Sequence, residues 1–216
     1  MFTFAENESS GQERYSEGME LFQQKQYDAA LETLLPIADE NMGAARKVAE
    51  IYDLKRQGLW QMLSFSNSPS EDALKWYKKA ADLGDPESAL KVADAIFKGN
   101  YKVKEGNNGK LMVQYYQMAA AADLSGKDNI YYRLSTIYRD GFKTDIKVDD
   151  AQAVKYLKKA AELGQPDAMY ELGERYDKGH GIVANSQEAV KWIKKAADAG
   201  HSKAKSYFGN LKQLKQ

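Results

Sequence analysis

The stretch Ala189-Val190-Lys191-Trp192-Ile193-Lys194-Lys195-Ala196-Ala197 decides the fold. Its apolar residues Ala189, Trp192, Ile193, Ala196 and Ala197 recur at i, i+3, i+4, i+7 and i+8, a single stripe at the helical period, while Lys191, Lys194 and Lys195 point elsewhere. The block returns as Ala73-Leu74-Lys75-Trp76-Tyr77-Lys78-Lys79-Ala80-Ala81 and as Ala153-Val154-Lys155-Tyr156-Leu157-Lys158-Lys159-Ala160-Ala161, and more loosely from Met112 to Ala120. Gly84, Gly126, Gly164 and Gly200 close these copies, and Pro86 and Pro166 follow two of them. Each such pair reads as helix stop, turn and helix start.

The segments after the stops align as well. Val48-Ala49, Val92-Ala93, Leu134-Ser135, Leu172-Gly173 and Phe208-Gly209 share one register, and their small members at 49, 93, 135, 173 and 209 lie 44, 42, 38 and 36 apart. A period of that size belongs to solenoids built from helical pairs. Upstream, Tyr15 to Asp39 forms a further pair, with Gly18, Leu21, Tyr27, Ala30 and Leu34 spaced for it. A two-helix unit cannot bury its apolar stripe alone, so neighbours stack and the ends need polar caps. The expected fold is all-α: a right-handed α-solenoid of stacked antiparallel helix pairs.

Composition narrows the function. The 216 residues carry 31 Lys plus Arg and 31 Asp plus Glu, so the formal net charge is zero and no nucleic acid or anionic membrane is implied as a partner. No long apolar run argues for membrane insertion. With no cysteine, disulfides, thiolate zinc sites and cysteine nucleophiles are excluded. Met1 to Ala5 is too short for the apolar core of an export signal, and a cytoplasmic location is expected. The alternative is a periplasmic or secreted protein, with Thr3-Phe4-Ala5 the tail of a leader cleaved before Glu6.

Catalytic and metal motifs are missing. Gly179-His180-Gly181 lacks the longer phosphate-binding spacing and reads as a turn inside a repeat, and neither His180 nor His201 has a second ligand at i+3 or i+4, so no metal and no cofactor are expected. His201 reads as a helix-start residue. There is no Gly-x-Ser-x-Gly elbow, no His-Glu-x-x-His and no P-loop. Asp149-Asp150 and Glu71-Asp72 sit where helices begin and oppose the positive end of the dipole. The pairs Lys78-Lys79, Lys158-Lys159 and Lys194-Lys195 read as a solvated convex face interspersed with acids.

Ala168, Leu172-Gly173, Tyr176, Gly179 and Gly181, followed by Ala189, Trp192, Lys195-Ala196-Ala197 and Gly200, closely resemble the Sel-one-like repeat, a relative of the tetratricopeptide repeat. The boundaries that follow are a flexible N-terminus over 1–12, a tetratricopeptide-like pair over 13–41, repeats over 42–84, 85–126, 127–164 and 165–200, and a C-terminal capping helix over 201–216. Two insertions depart from the family pattern, Leu54 to Ser70 and Asn100 to Gly109. Trp60 and Phe65 in the first are either a small satellite core or exposed loop anchors.

The resemblance implies that the first helix of each pair lines a concave groove. Its residues that turn away from the core are Arg46, Glu50 and Asp53; Leu90, Asp94 and Phe97; Tyr132, Thr136 and Arg139; and Tyr170, Glu174 and Asp177. Aromatic rings mixed with Arg and acids suit a protein interface better than a solvated face does. The alternative for Leu90, Phe97 and Tyr132 is packing against the adjacent repeat. The function implied is a non-enzymatic scaffold or adaptor whose partner is another protein or a peptide. Two alternatives are an immunity-type protein neutralising a secreted antibacterial toxin, as in some bacterial repeat proteins, and an enzyme acting on beta-lactams or cell wall. Family members proposed to act as such enzymes carry paired cysteines that this chain lacks.

Overall fold

The computed structural model describes residues 4–60, 69–103, 107–143 and 145–213, and at 4–9, 57–60 and 208–213 it describes the backbone. The helices are α1 (Phe4–Gln23), α2 (Tyr27–Leu34), α3 (Met42–Trp60), α4 (Glu71–Asp82), α5 (Pro86–Phe97), α6 (Asn108–Ala121), α7 (Lys127–Asp140), α8 (Asp150–Glu162), α9 (Pro166–Lys178), α10 (Ser186–Asp198) and α11 (Ser202–Gln213). A single 3-10 turn, Leu35–Ile37, follows α2. Among the described residues there is no strand, only one isolated bridge between Phe142 and Ile146. The architecture is the all-α array of antiparallel helix pairs.

Local chemistry sets most of the helix starts. The side chains of Asn41, Ser70, Asp85, Asn107, Asp149, Gln165 and Asn185 each accept a hydrogen bond from a backbone N–H inside the first turn of the helix they precede. Each such cap supplies an orphaned donor with a partner and is worth ~1 kcal/mol. His201 does the same with its ring, Nδ1 accepting from Ala204 N–H at 3.2 Å. The start of α7 is different: Gly126 precedes it in the left-handed region and offers no side-chain cap.

Helix ends repeat one device. Gly84, Gly164 and Gly200 have φ near +100° (104°, 101° and 101°), a conformation a side chain would strain. The residue after each glycine, Asp85, Gln165 or His201, then donates its N–H back to Ala80, Ala160 or Ala196. That residue is also the cap of the next helix. One glycine therefore closes one helix and positions the start of another.

The chain divides into two compact units, Met1–Ala119 and Ala120–Gln216. In the first, α1 packs on α2, α2 on α3, α3 on α4 and α4 on α5, around Ala30, Leu34, Val48, Ile51 and Ala80, with Tyr15, Phe22, Tyr52 and Trp76 packed against them. In the second, α7 packs on α8, α8 on α9, α9 on α10 and α10 on α11. Its core holds Leu157, Ala160, Ala168, Leu172 and Trp192, with Ile193, Ala196 and Ala204 beside them. The small residues of the shared register are each buried, Ala49 and Ala93 in the first unit and Ser135 and Gly173 in the second. The reason for glycine at 173 is direct: a Cβ there would lie 2.6 Å from Ile193 Cγ1 and 3.0 Å from the Ala189 carbonyl oxygen.

Three boundaries differ from the sequence reading. Helix α1 begins at Phe4, within the stretch expected to be a flexible lead-in over 1–12. That stretch is rich in Glu and Ser, which suit the start of a helix but leave no apolar stripe to read. Helix α3 continues to Trp60, so Leu54 to Trp60 is helical and not loop; Lys55, Arg56 and Gln57 are good helix formers that extend it without an apolar period. Helix α6 starts at Asn108, inside the second expected insertion. Phe65 lies outside the described residues, and Trp60 is described only as the last residue of α3.

Candidate functional site

In the unit Ala120–Gln216, a cavity of about 520 Å³ opens along the first helices of successive repeats, α7 and α9, and reaches the start of α11. Four residues expected in the groove line it together: Tyr132 and Arg139 from α7, Tyr170 and Glu174 from α9. They meet because seven residues on α7 and four on α9 are whole numbers of turns along parallel positions of the repeat. Two further expected residues stand apart. Thr136 turns its hydroxyl back to the Tyr132 carbonyl at 3.1 Å, and Asp177 is exposed without lining the cavity.

The floor is an ion-pair network that the sequence reading did not include. Glu171 accepts from Arg139 Nη1 at 2.8 Å through one oxygen and from Arg175 Nε at 3.3 Å through the other. Arg175, with its side chain 8% exposed, also donates to Asp150 Oδ1 at 3.0 Å and to the His180 carbonyl at 3.4 Å. Arg139 completes its fork on Asp140, both contacts at 2.8 Å. Burying a guanidinium is tolerable only when its donors are met in this way. Asp167, Glu171 and Arg175 recur at i, i+4 and i+8 on α9, a charged stripe beside the Tyr170/Glu174 stripe, and that spacing was the legible signal for them.

The electrostatics follow from these contacts. Hydrogen bonding to Arg139 holds the Asp140 carboxyl below its ordinary range, with the guanidinium charge acting the same way. The Tyr132 phenol is pushed up by burial first and then by the Glu171 and Asp167 carboxylates, against the opposing pull of Arg139. Tyr170 is pushed up by burial and by its partner Glu174. Both phenols therefore stay protonated and able to donate. At the far end of the cavity His201 stacks on Tyr170 with ring centroids 4.4 Å apart and lies 3.4 Å from Asp167 Oδ1. Tyr132 and Tyr170 are half-buried and packed against the core clusters, and a ring face of Tyr170 is covered by His201, so both are held rigidly at the edge of the cavity.

In the unit Met1–Ala119 the expected groove residues are largely committed to the fold. Arg46 bridges α3 to the start of α5, reaching Glu87 Oε2 at 2.9 Å and Asp85 Oδ1 at 3.3 Å, with Glu50 at 3.7 Å. Asp53 accepts from Ser70 N–H at 3.2 Å, tying α3 to the cap of α4, and with burial it helps push the Tyr77 phenol up. Asp94 accepts from Tyr116 Oη at 2.6 Å. Leu90 and Phe97 are half-buried on α5. A second cavity, of about 500 Å³, is lined by residues from within both expected insertions, among them Arg56, Pro69, Tyr101 and Lys102, and by Glu71 and Gly99 beside them.

The paired lysines do not all stand free in solvent. Lys78 pairs with Asp82 and Lys79 with Asp39, at 2.6 and 3.2 Å. Lys159 sits over the Tyr131 ring at 5.0 Å and Lys195 over Trp192 at 4.2 Å. Among the described residues no group of three His, Asp or Glu side chains is placed to hold a metal ion, and no helix is long and apolar enough to cross a membrane.

Comparison with known proteins adds the relatives. The Sel1 repeat model matches residues 67–85, 86–124, 131–165 and 166–201. Chitin synthase regulatory factor 1 of Schizosaccharomyces pombe is 31% identical over 154 residues, which cover 71% of this chain and 31% of that protein. A chitin synthase regulator of Saccharomyces cerevisiae is 34% identical over 115 residues, covering 53% of this chain and 16% of the other. The chain thus spans less than a third of the length of either curated relative. Among solved structures, a Sel1 repeat protein from Oxalobacter formigenes aligns at a TM-score of 0.51 and 24% identity, covering 94% of this chain and 89% of that one. A protective antigen of uropathogenic Escherichia coli with an SLR fold aligns at 0.56 and 23%, over 97% of this chain and 43% of the other. These last two likenesses are of fold.

Proposed function

Since the chain belongs to the Sel1 repeat family, we propose that it works as a non-enzymatic scaffold that holds an extended segment of another protein along the exposed faces of its first helices. The observation that carries this reading is the convergence of Tyr132, Arg139, Tyr170 and Glu174 on one cavity. Rings whose one side is locked into a core lose little entropy on binding, and their hydroxyls direct polar contacts, which is the makeup of an interface anchor. That both curated relatives are named as regulators of chitin synthase supports a role exerted on a partner protein. The finer proposal is that this chain, acting in the cytoplasm, modulates its partner by docking it in the cavity.

The test uses the full chain. Partner capture from extracts of the native organism, quantified by mass spectrometry, is compared for the intact protein, for Tyr132→Ala with Tyr170→Ala, and for charge reversal at Lys158 and Lys159. Each tyrosine truncation weakens capture by ~1 kcal/mol or more while helical content is kept. Loss of capture with the lysine variant and not with the tyrosine variant would place the partner elsewhere and overturn the proposal.

A further inference from the structure

The chain is neutral as a whole, but its charge is unevenly placed, and from that placement we infer that α11 of one copy of this chain receives α1 of a second copy, so that copies associate head to tail. Helix α1 carries five glutamates against one arginine, a net charge of −4. Residues 201–216 carry Lys203, Lys205, Lys212 and Lys215 and no acid, a net charge of +4. Of the 31 basic and 31 acidic residues, 26 of each lie between, in 24–200. The imbalance belongs to these two segments, equal in size and opposite in sign.

Register marks the face of α11 that is built to take a helix. On α9, Gly173 lets α10 come so close that a Cβ there would lie 2.6 Å from Ile193 Cγ1. Met169 and Tyr176, four residues before and three after, flank that glycine on one stripe. The equivalent stripe of α11 is Lys205, Gly209 and Lys212. The glycine that admits a close helix is kept, while the two flanking positions hold lysines. Helix α11 packs on α10, and Lys205 is exposed. On α1, Glu13, Glu17 and Glu20 recur at i, i+4 and i+7 and are all exposed, on the side away from Tyr15 and Phe22, which pack on the core. Glu13 to Glu20 and Lys205 to Lys212 are the same length of helix, ~10.5 Å at 1.5 Å per residue. Antiparallel pairing sets Glu20 beside Lys205 and Glu13 beside Lys212. Pairing of α1 with α1, or α11 with α11, meets like charge, so the contact joins unlike faces of two copies and not a two-fold pair. Exposed ion pairs are individually weak and are screened by salt, so the association is transient and strongest at low ionic strength.

Sedimentation velocity of the full chain, over a concentration series at low and at physiological salt, tests this. The intact protein is compared with Glu13→Lys/Glu17→Lys/Glu20→Lys, with Lys205→Glu/Lys212→Glu, with a mixture of these two variants, and with all five substitutions in one chain. The intact chain associates with rising concentration at low salt, and physiological salt weakens this by about tenfold or more. Each reversal alone leaves a monomer of unchanged helical content, the mixture associates through the faces each variant has kept, and the chain with both signs exchanged associates again. If one reversal fails to fold, the other decides by itself, since either must abolish association. An intact chain that stays monomeric at millimolar concentration in low salt overturns the inference, as do reversals that associate like the intact protein. Salt-sensitive compaction without concentration dependence also overturns it, because the two helices then meet within one chain. Tyr132→Ala/Tyr170→Ala associates as the intact protein does, so this contact and the docking cavity stand or fall separately.

Discussion

The imidazole of His201 lies against the ring of Tyr170, with centroids 4.4 Å apart and planes 19° apart, while its Nδ1 caps α11 through Ala204 N–H at 3.2 Å. One side chain thus serves as a helix cap and as a wall of the cavity. The two roles separate by substitution. His201→Asn keeps a cap acceptor and loses the stack, whereas His201→Ala loses both and costs ~1 kcal/mol more. Urea unfolding monitored at 222 nm checks this, and equal stability of the two variants would show that the cap contributes nothing.

The crossing of α9 and α10 has no spare room. Gly173→Leu, with its Cβ 2.6 Å from Ile193 Cγ1, destabilises the protein by ~1 to 3 kcal/mol through overpacking. Ala93→Leu, at a fully buried position of the same register, falls in the same range. Thermal melts read both, and a melting point as high as that of the intact protein at either site contradicts the crossing geometry.

Glu171 is worth more to stability than its neighbour Glu174. Removing it leaves Arg139 and the 8% exposed Arg175 each short of a partner, so Glu171→Ala costs ~2 kcal/mol or more, reduced from the full penalty by Asp150 and the His180 carbonyl. Glu174→Ala costs ~0.5 kcal/mol or less, as surface substitutions do. Equal losses in chemical denaturation would mean that the Arg175 pairs carry no stability.

Acid acts through Asp140. Its folded carboxyl titrates below the ordinary 3.8 because Arg139 stabilises the ionised form. The contribution is complete above the unfolded value and disappears as pH falls through the lowered folded one. Arg139→Met therefore returns the Asp140 midpoint toward 3.8 and removes that part of the acid dependence. Carbon-detected NMR titration of the Asp140 side chain gives the midpoint directly, and an unmoved midpoint rules the pairing out in solution.

What the sequence made legible was everything periodic. The stripe Ala189, Trp192, Ile193, Ala196 returns as a buried face, and the small residues at 49, 93, 135 and 173 are each buried within their own unit. Helix length was not legible where no apolar stripe marks it, as at Phe4 to Ser10 and Leu54 to Trp60. Of the expected groove, Tyr132, Arg139, Tyr170 and Glu174 meet as their register implies. Asp53 and Asp94 do not stay free, because Ser70 and Tyr116 from the partner helix claim them. Arg175 shows in the sequence only as the end of the Asp167, Glu171, Arg175 stripe; its burial depends on Asp150, 25 residues away, and that long-range pair is not legible from spacing.

The shared device of a stop glycine and a capping residue bears on how the chain comes together in time. Because Gly84-Asp85, Gly164-Gln165 and Gly200-His201 each define a turn from residues adjacent in sequence, helix registers are set by local contacts before distant parts of the chain have to meet. Local closure carries a small entropic cost and speeds folding. Each of these turns joins the second helix of one pair to the helix that opens the next, so neighbouring pairs are aligned by contacts local in sequence, and fraying at one end need not undo the pairs already formed.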